Sequence, residues 1–207
     1  MTDDDRPTTD APDPTDDADD DAPVVLVAED ERGLADLFGT WLSESYEVRV
    51  AYDGAEAVER YDEAVEVVLL DRHMPRSSGD EVLDHVREAD PACGVAMVTA
   101  VEPDFDVVDL PFDEYVLKPA SREELLSLVE TLLRRREYDR GVRRHYRLSA
   151  TMALLESHKN PDVLAANEEY RRLREEFEAL DAELASTVER MTPEDVGAVL
   201  RADSVEQ

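Results

Sequence analysis

Four short apolar runs, each followed by a polar or charged residue, give the first two thirds of the chain its pattern. The runs are VVLVA (24–28), VVLL (67–70), VAMV (95–98) and YVL (115–117). Short runs rich in β-branched residues predict buried strands of a parallel sheet. A further strand is predicted at 47–51, where the sequence reads EVRVA. Between the runs, apolar residues recur every three or four positions, as amphipathic helices require.

The predicted helices complete an alternating order of strand and helix. They lie near 32–45, 54–63 and 80–88, and a further helix begins after Ser121, with Glu124 three residues on as the second half of a capping box. The segment VEPDFDVVDLPFDE lacks a helical face and contains two prolines, so the helix between the fourth and fifth strands is predicted to be short or frayed. This order predicts an α/β fold with a doubly wound, five-stranded parallel sheet.

The chain beyond residue 134 has no strand-like run and is predicted to form a helical hairpin. The stretch 134–158 continues the preceding helix, and Asn160-Pro161 fits the start of another, predicted over 162–191. Apolar residues recur along that second helix at the a and d positions of about three heptads: Tyr170, Leu173, Phe177, Leu180, Leu184, Val188 and Met191. This stripe predicts the seam of an intramolecular hairpin or coiled coil, with homodimerisation along it as the alternative. A last short helix is predicted from Thr192-Pro193 to about 201.

The charge of the chain is strongly negative and unevenly spread. Acidic residues number 53 against 22 basic ones, for a formal charge of −31, and only Lys118 and Lys159 are lysines. Such a surface is typical of proteins from halophilic organisms with a salt-rich cytoplasm, where screening lengths fall to about 3 Å. Residues 1–22 consist almost entirely of Asp, Pro, Thr and Ala and are predicted to be a disordered acidic tail. The predicted domains are therefore 1–22, the α/β domain 23–134 and the helical domain 135–207.

Composition also excludes several classes of function. The acidic balance argues against non-specific binding of nucleic acid, which needs basic residues to displace counterions. A single cysteine, Cys93, rules out an intrachain disulfide and favours a reducing compartment, with the thiol expected in the core. No run approaches the roughly 18 apolar residues of a membrane span, and no signal sequence is visible. We therefore expect a soluble, cytoplasmic protein with no membrane partner.

Chemistry is concentrated at the ends of the predicted strands. Glu29 and Asp30, Asp71, Thr99 and Lys118-Pro119 each follow an apolar run. Because the carboxyl ends of parallel strands meet at one edge of a sheet, we expect these residues to share one site. A carboxylate such as Asp71 can attack phosphorus to form an acyl phosphate, and carboxylate oxygens suit Mg²⁺, which reduces the repulsion between two anions. The lysine adds a positive charge and the threonine a hydroxyl donor.

Taken together, these segments resemble the receiver domains of two-component response regulators. The matching pieces are VLVAEDE (25–31), VVLLDRHMPRSSG (67–79), MVTA (97–100) and DEYVLKP (113–119). The resemblance implies that Asp71 is phosphorylated by a sensor histidine kinase. It also implies that Asp30, Asp71 and the backbone carbonyl of His73 bind Mg²⁺, with Glu29 acting through water. The remaining roles implied by the resemblance are a switch pair (Thr99 and Tyr115), an open entry to the acceptor (Ala100) and contact with the phosphoryl group (Lys118, with Pro119 beside it).

The helical segment resembles the HalX domain through YDRGVRRHYRLSATMALLESHK (138–159) and EEYRRLREEFEALDAEL (168–184). We therefore expect the output to pass through helices that contact an unidentified protein. The alternative is a transcriptional regulator that binds DNA through the cluster Arg134–Arg147, although the segment is slightly acidic and has no helix-turn-helix pattern. A phosphatase using Asp71 is a third class. Such enzymes commonly carry a second acid two residues later, where this chain has His73, so we expect no enzymatic activity beyond the protein's own phosphorylation and dephosphorylation.

Overall fold

The computed structural model describes residues 22–108 and 110–190. Its five strands are β1 (Val24–Ala28), β2 (Glu47–Ala51), β3 (Val65–Leu70), β4 (Gly94–Thr99) and β5 (Glu114–Leu117). All are parallel, and they lie in the order β2-β1-β3-β4-β5. The chain thus winds outward from β1 in one direction and from β3 in the other. The predicted doubly wound parallel sheet is confirmed.

Helices α1 (Arg32–Leu42), α2 (Gly54–Arg60) and α3 (Gly79–Ala89) follow the first three strands. The first two end about three residues earlier than predicted. Between β4 and β5 the described chain forms only a 3₁₀ turn, Phe105–Val107, which confirms the expectation of a short or frayed helix there.

Helices cover both faces of the sheet because successive strand residues point to opposite sides. Residues of one parity, such as Leu26 and Val68, pack against α2 and α3. Those of the other parity, such as Val27 and Leu69, pack against α1 and the helix that follows β5. Cys93 is buried in the first core, as expected. Burial on both faces explains why the central strands β1, β3 and β4 consist mainly of continuous apolar runs.

The helix after β5 is α4 (Arg122–His158), which is 37 residues long and therefore about 55 Å in length. The predicted capping box forms, since Ser121 Oγ accepts from the Glu124 amide at 3.2 Å and Glu124 Oε2 accepts from the Ser121 amide at 2.8 Å. Its first half buries Leu125, Val129 and Leu132 on the sheet. Its second half leaves the α/β domain, which confirms that 134–158 continues the same helix.

The C-terminal part of the described chain is a hairpin of α4 with α6 (Glu168–Arg190), preceded by the short α5 (Pro161–Ala166). The prediction of one uninterrupted helix over 162–191 is wrong. The helix is interrupted at Asn167, whose side chain accepts from the Tyr170 amide at 2.8 Å and so caps α6. The hairpin itself is confirmed, with the His145 ring stacked on Phe177 at 4.4 Å between centroids. The acidic tail, Met191 and the predicted last helix lie outside the described residues. None of the described helices is both long and apolar enough to cross a membrane.

Candidate functional site

The sheet brings the predicted acidic residues together. Asp71 donates its amide to the Ala28 carbonyl at 2.9 Å, and Glu29 donates its amide to the Ala51 carbonyl at 3.0 Å, so strand pairing extends one residue past β1 and β3. Carboxylate oxygens of Glu29, Asp30 and Asp71 consequently lie within 4.8 Å of one another. Glu29 and Asp71 are buried, whereas Asp30 is exposed. This arrangement places three negative charges at one edge of the sheet.

Lys118 supplies the positive charge at this edge. Its amide donates to the Thr99 carbonyl at 2.9 Å, which continues the pairing of β4 with β5 and directs the side chain across the strand ends. The ammonium lies 2.5 Å from Glu29 Oε2 and 2.6 Å from Asp71 Oδ2, and the side chain is only 12% exposed. The peptide bond to Pro119 is cis. One lysine therefore bridges carboxylates contributed by two adjacent strands.

Burial and charge shift the protonation equilibria of this pair in defined directions. Burial raises the pKa of Glu29, and the hydrogen bond from Lys118 offsets only part of that effect. Burial alone would lower the pKa of Lys118, but the carboxylates of Asp71 and Glu29 outweigh it and the net shift is upward. Lys118 therefore stays charged at neutral pH, while Glu29 is held ionised less firmly than an exposed glutamate.

The donor set fits a hard divalent cation. Three carboxylates within 4.8 Å offer oxygen ligands only, as Mg²⁺ prefers. Backbone amides point at the same carboxylates, from Glu31 to Glu29 Oε1 and from His73 to Asp71 Oδ1, each at 3.3 Å. The side chain of His73 is exposed. Coordination by its carbonyl stays a prediction.

Thr99 and Tyr115 meet at one residue of the following loop. Thr99 is fully buried, and its hydroxyl accepts from the Val101 amide at 3.4 Å. The Tyr115 hydroxyl donates to the Val101 carbonyl at 2.8 Å, and its ring packs on Phe112 with centroids 5.5 Å apart. Ala100, between Thr99 and Val101, is exposed. The predicted switch pair is thus linked through the backbone of a single residue of the loop, Val101.

A second set of residues, not predicted from the sequence, fixes the loop that carries His73. Arg76 adopts the left-handed backbone conformation (φ 69°), and its guanidinium pairs with the buried Asp53 carboxylate. Asp53 also caps α2, accepting from the Glu56 amide at 3.0 Å. In the sequence, Asp53-Gly54 is a turn signal with no indication of a partner, and a left-handed arginine carries no local sequence signal. The pairing ties the loop after β3 to the start of α2.

The first arginines of the cluster in the helical segment pair with acids of the α/β domain. Arg136 is buried and lies 2.8 Å from Asp90 and 3.7 Å from Glu66, while Arg135 lies 2.8 Å from Glu114. These acids belong to the edge of the sheet opposite the carboxylate site. These ion pairs reduce the number of guanidiniums available to DNA phosphates, so the DNA-binding alternative is not favoured.

The Glu29→Gln variant is expected to reverse its stability ranking when Mg²⁺ is added. The raised pKa of Glu29 means that the folded state binds its proton more tightly than the unfolded state. Wild-type stability therefore falls as pH rises from about 4.5 through that pKa. At pH 7 in EDTA the variant should unfold at a higher urea concentration, and the difference should vanish near pH 4. Mg²⁺ at about 100 times its Kd should stabilise the wild type by about 2.7 kcal/mol and the variant by less. If the stability of the two proteins in urea depended on pH in the same way, the raised pKa of Glu29 would be contradicted.

The α/β domain is thus a doubly wound domain with three clustered carboxylates and a bridging lysine at the carboxyl edge of its sheet. The family model for the response regulator receiver domain matches residues 25–130, and the model for the HalX domain matches residues 134–200. The chain therefore belongs to the response regulator receiver family, with a HalX domain following the receiver. The receiver match indicates a signalling module. Neither family match is to a catalytic enzyme family.

Individual relatives agree with this assignment. A Haloferax volcanii protein named as a candidate transcriptional regulator is 47% identical over 161 residues, covering 77% of this chain and 28% of its own length. The sensory transduction protein RegX3 of Mycobacterium bovis is 40% identical over 116 residues, covering 54% of this chain and 51% of its own. The chain thus spans about half or less of these curated relatives. The BeF₃-activated DrrB receiver domain superposes with a TM-score of 0.51 at 27% identity, covering 54% of this chain and 97% of that structure.

Proposed function

We propose that this protein accepts a phosphoryl group on Asp71 from a sensor histidine kinase, with Mg²⁺ bound at the carboxylate site. The observation that carries the proposal is the charge arrangement around Asp71. Its carboxylate contacts the Lys118 ammonium at 2.6 Å and lies within 4.8 Å of oxygens of Glu29 and Asp30. An acceptor placed between an ammonium and two metal-type ligands is suited to phosphoryl transfer and has no evident purpose in packing.

Asp30 and Asp71 would hold the cation directly together with the His73 carbonyl, and Glu29 would act through a bound water, as the family resemblance implies. Bound Mg²⁺ would neutralise charge that develops on the phosphoryl oxygens. The protein's own contribution is to hold the carboxylates at one edge by strand pairing and to keep Lys118 charged beside them.

In the transfer step, an oxygen of the Asp71 carboxylate attacks phosphorus and forms an acyl phosphate. The bond from phosphorus to the kinase histidine breaks, and the imidazole leaves with its electron pair. Lys118 then has an anionic phosphoryl oxygen available in place of the carboxylate oxygen that it contacts in the unmodified protein. Glu29 keeps the ammonium in position during this exchange, because it holds the other side at 2.5 Å.

On phosphorylation, the hydroxyl of Thr99 would connect the acceptor to the loop after β4, where it accepts from the Val101 amide. Were it to turn toward a phosphoryl oxygen, the Val101 amide would lose its acceptor, and the Tyr115 hydroxyl bonds the same residue. A change at Asp71 would therefore alter the loop through two hydrogen bonds. This fits a two-state switch biased by phosphorylation. Ala100 leaves the approach open, and Pro119 fixes the backbone beside Lys118.

We assign the output to the helical hairpin and divide the chain into an acidic tail (1–22), a receiver (23–134) and a HalX domain (135–207). The hairpin would contact another protein, and the proposed kinase reaction would take place in the cytoplasm. DNA binding through Arg134–Arg147 is disfavoured because several of these guanidiniums pair with receiver or hairpin carboxylates, Arg144 with Glu176 at 2.7 Å among them.

Incubation with a small phosphodonor such as phosphoramidate tests the proposal without the kinase. With Mg²⁺, intact mass should show one added phosphoryl group per chain. Chelation with EDTA should reduce uptake severely, and the Asp30→Asn variant should require at least about 10-fold more Mg²⁺ for the same rate. The exposed Asp84 on α3, replaced by Asn, is the matched control and should behave as the wild type. Uptake that is independent of both Mg²⁺ and Asp30 would overturn the metal assignment.

A further inference from the structure

The outer face of α4 beyond the receiver carries apolar side chains that nothing covers in the described structure. Val142, Tyr146 and Leu154, here called the α4 strip, are all exposed, Tyr146 at 75%. Two arginines, Arg143 and Arg147, lie beside the strip and are also exposed. Within the described residues neither guanidinium has an ion pair or a hydrogen bond to a carboxylate. Two such arginines one turn apart, beside exposed apolar side chains, suit an acidic partner that also carries apolar residues.

The receiver carries a surface of the opposite charge with matching apolar character. The segment 101–108, here called the β4–β5 loop, exposes Phe105 at 90% and Val108 at 73%. Glu102 and Asp104 in the same loop are exposed acids. A nearly fully exposed phenylalanine beside a second apolar residue is typical of an interaction site.

These two surfaces lie too far apart to meet within one chain. The β4–β5 loop follows Thr99 and therefore lies at the carboxyl edge of the sheet. α4 starts at that same edge, and by Arg136 it has reached Asp90 at the opposite edge. The 20 residues from Arg122 to Val142 span roughly 30 Å. The α4 strip therefore lies beyond the amino edge of the sheet, whereas the loop lies at its carboxyl edge. Only another molecule can bring the two together.

We propose that the β4–β5 loop of one copy docks on the α4 strip of a second copy, in an antiparallel pair with two-fold symmetry. Phe105 and Val108 would cover Val142 and Tyr146, while Glu102 and Asp104 would pair with Arg143 and Arg147. Each copy supplies one loop and one strip, so both contacts form at once and the assembly closes as a dimer. In a salt-rich solvent the apolar contact would supply most of the affinity. The charged pairs would fix how the two copies align.

This interface would respond to the carboxylate site because the loop begins at Val101, where the Thr99 and Tyr115 hydrogen bonds converge. That regulatory link rests on the proposed function. The docking itself does not rest on the proposed function, because all of the residues that would form the contact are exposed in the unmodified protein.

Sedimentation equilibrium of the full chain in concentrated KCl, with and without Mg²⁺ and beryllofluoride, tests the docking. We expect a monomer–dimer equilibrium that the paired substitution Arg143→Glu and Arg147→Glu weakens at least 10-fold. Adding Glu102→Arg and Asp104→Arg to that variant should restore dimerisation. Arg171→Glu, which alters an exposed arginine on α6, is the matched control and should have no effect.

Cross-linking gives a second readout. A Phe105→Cys protein mixed with a Tyr146→Cys protein should form a disulfide between the two variants, whereas neither alone should do so. The docking is overturned by a monomer under every condition, by a dimer indifferent to the charge reversal, or by Arg143 and Arg147 retaining a DNA fragment instead. A dimer that ignores beryllofluoride would retain the docking and count against its control by phosphorylation.

Discussion

The Asp71→Asn variant is expected to take up no phosphoryl group under conditions in which the wild type takes up one. An amide lacks the anionic oxygen that attacks phosphorus. The substitution also removes one of the three carboxylates clustered at the sheet edge. Because the Lys118 ammonium still contacts Glu29 at 2.5 Å, its positive charge remains paired and the fold should be retained. Intact mass after incubation with phosphoramidate and Mg²⁺ measures the effect.

The control for this experiment is the Asp84→Asn variant, which makes the same chemical change on the exposed face of α3. It should be phosphorylated to the wild-type extent. Circular dichroism of both variants separates loss of the acceptor from loss of the fold. A folded Asp71→Asn protein that still gains one phosphoryl group would place the acceptor elsewhere.

The Gly79→Ala variant is expected to be destabilised by about 3 kcal/mol or more, at the upper end of overpacking costs. A Cβ at this position would lie 2.3 Å from the Asp71 carbonyl oxygen and 2.8 Å from Arg72 Cα. Both are backbone atoms of the segment that carries the acceptor, so no side-chain rotation relieves the clash. The Gly79 amide also donates to the Arg72 carbonyl at 2.9 Å, which holds the start of α3 against that segment. Urea unfolding should show a clearly lower midpoint, and phosphoryl uptake should slow because Asp71 is displaced.

Gly33 on α1 offers a matched control. A Cβ there would meet no heavy atom within 4 Å, and the residue is helical. Gly33→Ala should therefore be neutral or stabilising by up to about 1 kcal/mol. If the two variants unfolded at the same urea concentration, the close contact between the start of α3 and the backbone of Asp71 would be contradicted.

The strands and the position of the candidate site were predictable because they follow from local features. Buried parallel strands are continuous apolar runs, and the residue after each run must emerge at the carboxyl edge. Glu29 and Asp71 therefore meet once β1 and β3 pair, and their register aligns Ala28 with Leu70. The prolines of the segment after Thr99 likewise indicated that no regular helix would form there.

Features that depend on distant partners were not predictable. Nothing near Arg76 indicates a left-handed backbone or a bond to Asp53, because the favourable contact comes from a residue more than 20 positions away. The break at Asn167 is a local feature, an N-cap whose side chain accepts from the Tyr170 amide, and it was missed because helix-favouring residues lie on both sides.

The junction between receiver and hairpin shows how long-range contacts change the interpretation of a sequence. The two family matches meet at residues 130–134, yet α4 runs through this region without interruption. Arg136, just past the junction, is buried against Asp90. Arginines that resemble a nucleic-acid patch in the sequence instead attach the helix to the receiver. We infer that movement of α4 on the sheet would reach the hairpin through a continuous helix.

Chemical trapping at residue 71 tests whether Asp71 is the residue that accepts the phosphoryl group. Borohydride reduces an acyl phosphate of aspartate to homoserine, which peptide mass spectrometry locates by residue. After treatment with phosphoramidate and Mg²⁺, we predict homoserine at position 71 and at no other acidic residue, and none when the donor is omitted. Full phosphoryl uptake with no homoserine at position 71 would place the acceptor elsewhere, as would homoserine at Asp30 or 5-hydroxynorvaline, the product expected from a glutamyl phosphate, at Glu29.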